Sequence, residues 1–209
     1  MSQITIINRT DDSEVVRVAI YKKPILVPTL GTIAWRTVAP PPSGGKTVIQ
    51  VPETYQTYAN YSYDPDERDD PTAGNQTQVI TFTEATARFV IASATSQDTR
   101  ASAATITQVF TDLILNEVRV ENQFGYGVWS HITKDGDDIY APQVLWPGAV
   151  RMEDVRSSFF LAVVAQFVNK GSRLVDEEIS ITETEVLEGG VAIVTGSKWK
   201  GYSLTTQTT

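Results

Sequence analysis

The chain has 209 residues, of which 41% are hydrophobic and 20% are charged, a composition typical of a folded globular protein. Its formal net charge of -8 argues against binding to duplex nucleic acid, because neutralising phosphates requires clustered lysines and arginines. The absence of cysteine excludes disulfides, thiolate metal ligands and cysteine nucleophiles.

The first part of the chain predicts short strands separated by turns and a proline-rich loop. Polar and apolar residues alternate in the first segment, as they do in a half-buried strand. Trp35 is the expected core anchor of a later strand, and residues 40–45 (PPPSGG) form the clearest loop. The predicted strands cover residues 3–7, 15–21, 32–38, 47–51 and 55–63.

Two later segments fit either a strand or a helix. Residues 103–115 place apolar side chains on one helical face, yet their threonine and β-branched content favours a strand. Residues 150–170 also show helical spacing, but the run FFLAVVAQFV at 159–168 has the apolar density of a buried strand. We expect strands, with one short helix at either place as the alternative.

Residues 128–144 (VWSHITKDGDDIYAPQV) predict the hairpin at the centre of the fold. Asp135 and Gly136 suit a tight turn, because its central residues need a positive φ, which aspartate tolerates and glycine adopts freely. His131, the only histidine, lies on the first arm. This pattern is the strongest local signal in the sequence.

The remaining strands complete an all-β prediction. Glu188-Gly189-Gly190 predicts another hairpin, and a final strand is expected over residues 198–204. We therefore expect an antiparallel β-sandwich built of hairpins. It forms a single domain over residues 1–209, or two packed halves at 1–75 and 76–209.

Residues 4–21 and 118–132 resemble each other faintly. Each reads as a β run, an asparagine-centred polar turn and a second β run. A duplication would explain the match, but two ordinary hairpins also look alike, because hairpin signals are generic.

No catalytic motif emerges from the sequence. A nucleophilic triad would have to use His131, and no G-x-S-x-G segment is present. The segment PPPSGGKT lacks the glycine spacing of a phosphate-binding loop. We expect His131 to be an ordinary surface or half-buried strand residue and the protein not to be an enzyme. A carboxylate pair for glycoside hydrolysis stays open, since only spatial separation defines it.

Two acidic loops are the candidate metal sites. Calcium takes about six to eight oxygen ligands, whereas zinc normally needs several histidines or cysteines. Neither loop matches an EF-hand, and a solvated acidic loop is the alternative interpretation. No other cofactor is predicted. The calcium candidates are Asp64, Asp66, Asp69 and Asp70 in the first loop, with Asp135, Asp137 and Asp138 in the second.

Four tyrosines lie in the predicted strand at residues 55–63. Tyr61 and Tyr63 share one face of the strand, whereas Tyr55 and Tyr58 do not fit the same two-residue period. A sugar-stacking surface is the functional interpretation. Packing within the sheet is the simpler interpretation, and strand propensity favours it.

Residues 79–115 raise the possibility of membrane action. They contain two long runs rich in threonine, serine, alanine and β-branched residues around a polar tip, as in hairpins that pore-forming proteins insert into bilayers. Arg88 interrupts the pattern, and surface strands explain the composition equally well. No apolar run approaches the roughly 20 residues of a membrane helix.

Two segments resemble a family of bacterial β-sandwich proteins similar to the rhizosphere-expressed protein RhiA. Residues 18–63 contain VAIYKKP, GTIAWRT, the proline-rich loop and TVIQVPETYQTYANYS, and residues 125–181 contain GYGVWSHI and FFLAVVAQFVNKGSRLVDEEISI. Tyr55 and Tyr58 stand where the family tends to place a second tryptophan. The run NQFGYGVW also looks like a strand of actinoporin-like sandwiches. The RhiA-like resemblance implies a β-sandwich without enzyme activity.

These features predict a non-enzymatic, structural, self-assembling or protein-interaction module. The first strand and the threonine-rich C-terminal segment are expected to add to the sheet edge of a neighbouring copy or another protein. The alternative is a secreted, toxin-like or lectin-like module that binds membranes or glycans. MSQITIINRT has neither a basic nor an apolar leader region. This predicts a cytoplasmic protein, or one exported without an N-terminal signal peptide.

Overall fold

The computed structural model describes residues 1–11, 15–25, 31–83, 86–94, 103–175, 179 and 182–207. These residues form strands in four sheets, and the all-β prediction is confirmed. Contacts divide the chain into two compact units. Unit 1 contains residues 1–23, 27–53 and 157–209, and unit 2 contains residues 24–26 and 54–156.

Unit 1 contains two four-stranded sheets. One sheet has the order β18 (Gly201–Gln207), β17 (Val191–Ser197), β1 (Ser2–Thr10), β4 (Lys46–Val51). In it β1 is parallel to β17, and the other pairs are antiparallel. The second sheet is antiparallel, with the order β16 (Thr184–Leu187), β15 (Ser158–Val164), β2 (Arg17–Tyr21), β3 (Arg36–Val38).

Unit 2 also contains two sheets. The first has the order β14 (Val150–Asp154), β10 (Glu117–Asn122), β8 (Ala87–Ser93), β9 (Ala104–Val109), and β8 is parallel to β10. The second has the order β12 (Asp137–Asp138), β11 (Val128–Lys134), β5 (Thr54–Tyr61), β6 (Asn75–Gln76). In addition, β13 (Gln143–Leu145) pairs with β11, and β7 (Ile80–Thr83) pairs with β5.

Alternating side chains fill the interior of each unit. In β1, Ile4 and Ile6 are fully buried while their neighbours point outwards, which is the period of a half-buried strand. Trp35 is fully buried and stacks on Phe159 at 5.2 Å between ring centroids, so its predicted role as a core anchor is confirmed. In unit 2, Phe82 packs against Phe89 at 5.1 Å.

The central hairpin prediction is confirmed. Asp135 and Gly136 connect β11 to β12 with φ values of 58° and 76°. The ambiguous segments are strands as well: β9 lies within 103–115, and β14 and β15 lie within 150–170. The helix alternative is therefore wrong at both places, because β9, β14 and β15 each pair with a neighbouring strand of their sheet.

The N-terminal strand is not a free edge. In the described residues β1 lies between β17 and β4, so both of its edges are already paired. The expectation that it joins the sheet of a neighbouring protein is wrong. The bounds of the contact units also differ from the halves 1–75 and 76–209, and the number of independently folding domains stays a prediction.

Strands within residues 79–115 belong to both sheets of unit 2, with β7 in one sheet and β8 and β9 in the other. Among the helices of the described residues, none is long and apolar enough to span a membrane.

Candidate functional site

A cleft of about 290 Å³ opens at one end of unit 2. Its walls come from the end of β5 and the following loop, from the β10–β11 connection, and from the turn after β13. The volume is close to the lower limit of roughly 300–1,000 Å³ for pockets that hold small molecules. Aromatic side chains line it together with charged residues from the loop at 62–74.

Exposed aromatic rings form the apolar part of the cleft. Trp146 and Tyr126 are 57% and 47% exposed, although large aromatic rings are usually buried in a protein core. Trp129 also lines the cleft, and its indole N–H donates to the main-chain oxygen of Arg68 at 2.8 Å. Rings left at the surface of a concave site are typical of a binding surface, because folding alone has not buried them.

Carboxylates form part of the polar wall. Glu67 accepts a hydrogen bond from the Ser62 hydroxyl at 2.6 Å. Asp70 accepts from the hydroxyl and the main-chain N–H of Thr72 at 2.7 and 2.8 Å. The Thr72 hydroxyl bond, followed by the main-chain bond, holds the pKa of Asp70 below its ordinary value. Asp70 is therefore an ionised acceptor at neutral pH.

His131 is buried and contacts the acidic loop through one of its ring nitrogens. It is 2% exposed, and its ring stacks on Tyr58 with centroids 4.5 Å apart. Nε2 lies 3.0 Å from the main-chain oxygen of Pro71, and Nδ1 lies 3.1 Å from an oxygen of Asp138. The surface or half-buried position expected from the sequence is wrong, since the loop covers the ring. Both nitrogens are occupied by these contacts.

Asn122 holds the other wall of the cleft. The residue is fully buried, and its Oδ1 accepts from the main-chain N–H of Phe124 at 2.9 Å. Its Nδ2 donates to the main-chain oxygens of Tyr126 and Leu145, each at 2.8 Å. One amide therefore joins the loop that carries Tyr126 to the strand end that precedes Trp146.

Gly127 lets the Trp146 ring approach the main chain. A Cβ at this position would lie 2.9 Å from two ring carbons of Trp146. Gly127→Ala is expected to displace the ring and to lower the free energy of unfolding by about 1 kcal/mol through overpacking. Near-ultraviolet circular dichroism and urea unfolding measure the two effects. Gly125→Ala is the matched control, because its Cβ meets nothing within 4 Å. Identical spectra for Gly127→Ala and the wild type would contradict this packing.

Some of the predicted calcium ligands make contacts within the protein. Asp64 caps the short 3₁₀ helix at Pro65–Glu67 and accepts from the N–H of Asp66 at 2.9 Å. Asp135 occupies the hairpin turn, while Asp69 is exposed. Within the described ranges, no group of three or more histidine, aspartate or glutamate side chains is arranged to hold a metal ion. Calcium binding stays a prediction.

Sequence reasoning identified only part of this cleft. Tyr61 and Asp70 line it, whereas Tyr55 is fully buried against Phe82. The sequence pattern does not indicate Trp146, Trp129 or Tyr126 as cleft residues. The missed signal is a tryptophan directly before the Pro147-Gly148 turn, where its large ring stays at the surface.

No family model, curated protein or solved structure matches this chain. The RhiA-like resemblance stays a prediction.

Proposed function

We propose that the protein is a lectin-like module that binds glycans in the cleft of unit 2. The observation that carries the proposal is the group of exposed aromatic rings that lines a small cleft together with the carboxylates of Glu67 and Asp70. Trp146 and Tyr126 provide stacking faces for the C–H surface of a sugar ring. Glu67 and Asp70 accept hydrogen bonds from its hydroxyls.

The chemistry of the lining favours a sugar over a purely apolar ligand. Sugar hydroxyls both donate and accept hydrogen bonds, and the cleft offers carboxylate acceptors together with the guanidinium donors of Arg68. A cleft of about 290 Å³ has room for one or two sugar rings but not for a long oligosaccharide buried along its whole length. The expected ligand is therefore a terminal monosaccharide or disaccharide of a larger glycan.

The proposal is tested with an immobilised panel of neutral and acidic oligosaccharides, followed by calorimetry on the glycans retained. We expect Trp146→Ala to weaken binding at least fivefold, because losing one stacking ring removes about 1 kcal/mol. Trp199→Ala is the control, since Trp199 is 86% exposed on the β17–β18 turn of unit 1. A wild-type protein that binds no glycan, or equal affinities for wild type and Trp146→Ala, would contradict the proposal.

Self-association is the second candidate function, and β18 is the observation that favours it. Within the part of the chain described, this seven-residue strand pairs only with β17. An unpaired strand edge can add a strand from another molecule. The expected result is a molar mass that rises with protein concentration in light scattering. A monomer across all concentrations and salt conditions would exclude this candidate.

A further inference from the structure

The two units repeat one arrangement of strands. In each, a central strand lies between a parallel and an antiparallel partner: β1 lies between β17 and β4, and β10 lies between β8 and β14. The parallel partner carries an outer antiparallel strand in both cases. The first four strands of unit 1, β1 to β4, correspond in chain order to β10, β11, β13 and β14 of unit 2. The last four strands of unit 1, β15 to β18, correspond in the same way to β5, β7, β8 and β9.

The correspondence extends to the register of the strands. Ile4 is aligned with Ile49 across β1 and β4, and Val118 is aligned with Glu153 across β10 and β14. Both central strands then reach a fully buried asparagine four residues later, Asn8 in one and Asn122 in the other. A shared topology alone would not require equal spacing to a buried polar residue.

The two asparagines make the same main-chain hydrogen bonds. The oxygen of Asn8 accepts from the N–H of Gly44 at 2.6 Å, and that of Asn122 accepts from Gly148 at 2.7 Å. Both glycines have positive φ, 83° and 81°. The asparagine N–H groups donate to the residue after each glycine, at 2.9 and 3.0 Å.

The side chains of Asn8 and Asn122 also make matching hydrogen bonds. Each Oδ1 accepts from the main-chain N–H two residues later, at 3.0 Å in unit 1 and 2.9 Å in unit 2. Each Nδ2 donates to a main-chain oxygen just before the turn that contains the glycine. These acceptors are Pro40 at 3.0 Å and Leu145 at 2.8 Å.

Buried lysines provide a second, separate match. Lys22 follows β2 and is 4% exposed, and its ammonium lies 5.1 Å from the ring centre of Phe159. Lys134 ends β11 and is fully buried, with its ammonium 4.0 Å from the ring centre of Tyr55. Both rings lie near the start of the strand that pairs with the lysine-bearing strand. Buried lysines are rare enough for this agreement to carry weight.

We propose that the chain is a tandem duplication whose two repeats have exchanged their second halves. One repeat spans β1 to β9 and the other spans β10 to β18. Unit 1 combines β1–β4 of the first repeat with β15–β18 of the second, and unit 2 combines β5–β9 with β10–β14. Each unit is thus an intramolecular version of a strand-exchanged dimer, in which one repeat is the partner of the other. This inference is independent of glycan binding.

The exchange predicts what happens when the full chain is cut between the repeats. The connection from β9 to β10 contains exposed apolar residues, and Leu113 and Ile114 are 43% and 49% exposed. A protease recognition sequence inserted between them allows the folded, full-length protein to be cut there. We expect the two fragments to stay together in size-exclusion chromatography with light scattering, at the mass of the uncut chain, and to separate only in denaturant.

Elution of two separate folded fragments in native buffer would overturn the proposal, because each repeat would then fold by itself. Circular dichroism before cutting establishes that the inserted variant is folded. If it is not, an insertion between Phe110 and Thr111 is the second variant.

A cross-link supplies an independent readout of the exchange. Thr5 and Val191 are aligned across β1 and β17, and the chain has no natural cysteine. Cysteines at these two positions, joined by a short bismaleimide in the cut protein, are expected to give one band at the mass of the intact chain on a denaturing gel. Two unlinked fragments would contradict the pairing between repeats.

Discussion

Replacing Asn122 with alanine is expected to lower the free energy of unfolding by about 3 kcal/mol, measured by urea denaturation. The side chain is fully buried and makes three hydrogen bonds, with the main chain of Phe124, Tyr126 and Leu145. Alanine removes these bonds from one main-chain N–H, that of Phe124, and from the two carbonyls of Tyr126 and Leu145 beside a buried side-chain position. The loop that carries Tyr126 then loses its attachment to the end of β13.

The control for Asn122→Ala is Asn75→Ala in β6, because Asn75 is exposed. A surface substitution of this kind is expected to change stability by less than about 0.5 kcal/mol. Asn8→Ala should match Asn122→Ala in size, since the two residues make equivalent bonds. An Asn122→Ala protein as stable as the Asn75→Ala control would contradict this role of the amide.

Glu153→Ala is expected to have a similarly large effect, about 3 kcal/mol or more. Glu153 accepts from Nε of Arg151 at 3.0 Å, and both side chains are almost completely buried. Arg151 also donates to the main-chain oxygens of Ser130 and Ala141. Alanine leaves the buried guanidinium of Arg151 without its counter-charge. An uncompensated buried charge lowers the free energy of unfolding more than the loss of an exposed ion pair does. Urea unfolding of the variant measures the change.

Arg156→Ala is the matched control for Glu153→Ala. Arg156 is paired with Asp154 at 2.5 Å, but its side chain is 62% exposed, so its loss is expected to cost less than about 1 kcal/mol. Equal losses in the two variants would contradict the buried-pair argument.

The pH dependence gives a second signature of Glu153. Burial raises its pKa above the ordinary value of 4.5, although Arg151 opposes the shift. The folded state therefore holds this proton more tightly than the unfolded state. The contribution of this proton to the free energy of unfolding is fully present below pH 4.5 and is lost as the pH rises through the raised pKa of Glu153. Glu153→Gln is expected to lack this decrease.

Local features of the fold were predictable from the sequence, and long-range pairing was not. The turn at Asp135-Gly136 follows from the φ values its two residues tolerate, and the alternation in β1 identifies a half-buried strand. By contrast, β5 pairs with β11, more than 60 residues away along the chain. Alternation shows which face of a strand is buried and carries no information about which strand lies beside it.

The cleft was only partly predictable for the same reason. Its rings and carboxylates come from three separate connections, so no single segment contains the pattern. The density of tyrosines at 55–63 indicates a sugar-stacking surface, yet Tyr55 and Tyr61 pack against Phe82 and Phe124 within unit 2. Trp146 is isolated in the sequence and acquires neighbours only when β13 and β14 fold.

The duplicated framework supports a specific role for the cleft residues. Both turns share the buried asparagine and the glycine of positive φ, but the aromatic residues occur in unit 2 alone. In unit 2, Trp129 of β11 is aligned with Asn60 of β5. At the equivalent positions of unit 1, Arg17 of β2 is aligned with Val164 of β15. The carbonyl of Trp146 accepts from Ala149, and the equivalent acceptor for Gly45 is Pro42. The framework is thus common to both units, and the aromatic rings of the cleft belong to unit 2.

The most direct test of glycan binding in the cleft follows the indole N–H resonances of the four tryptophans by NMR. During titration with a glycan retained on the panel, the resonances of Trp129 and Trp146 should shift. Those of buried Trp35 and exposed Trp199 should stay in place. Phenylalanine substitutions assign the signals. Shifts confined to Trp199, or no shift in any of the four at saturating glycan, would contradict a binding site in this cleft.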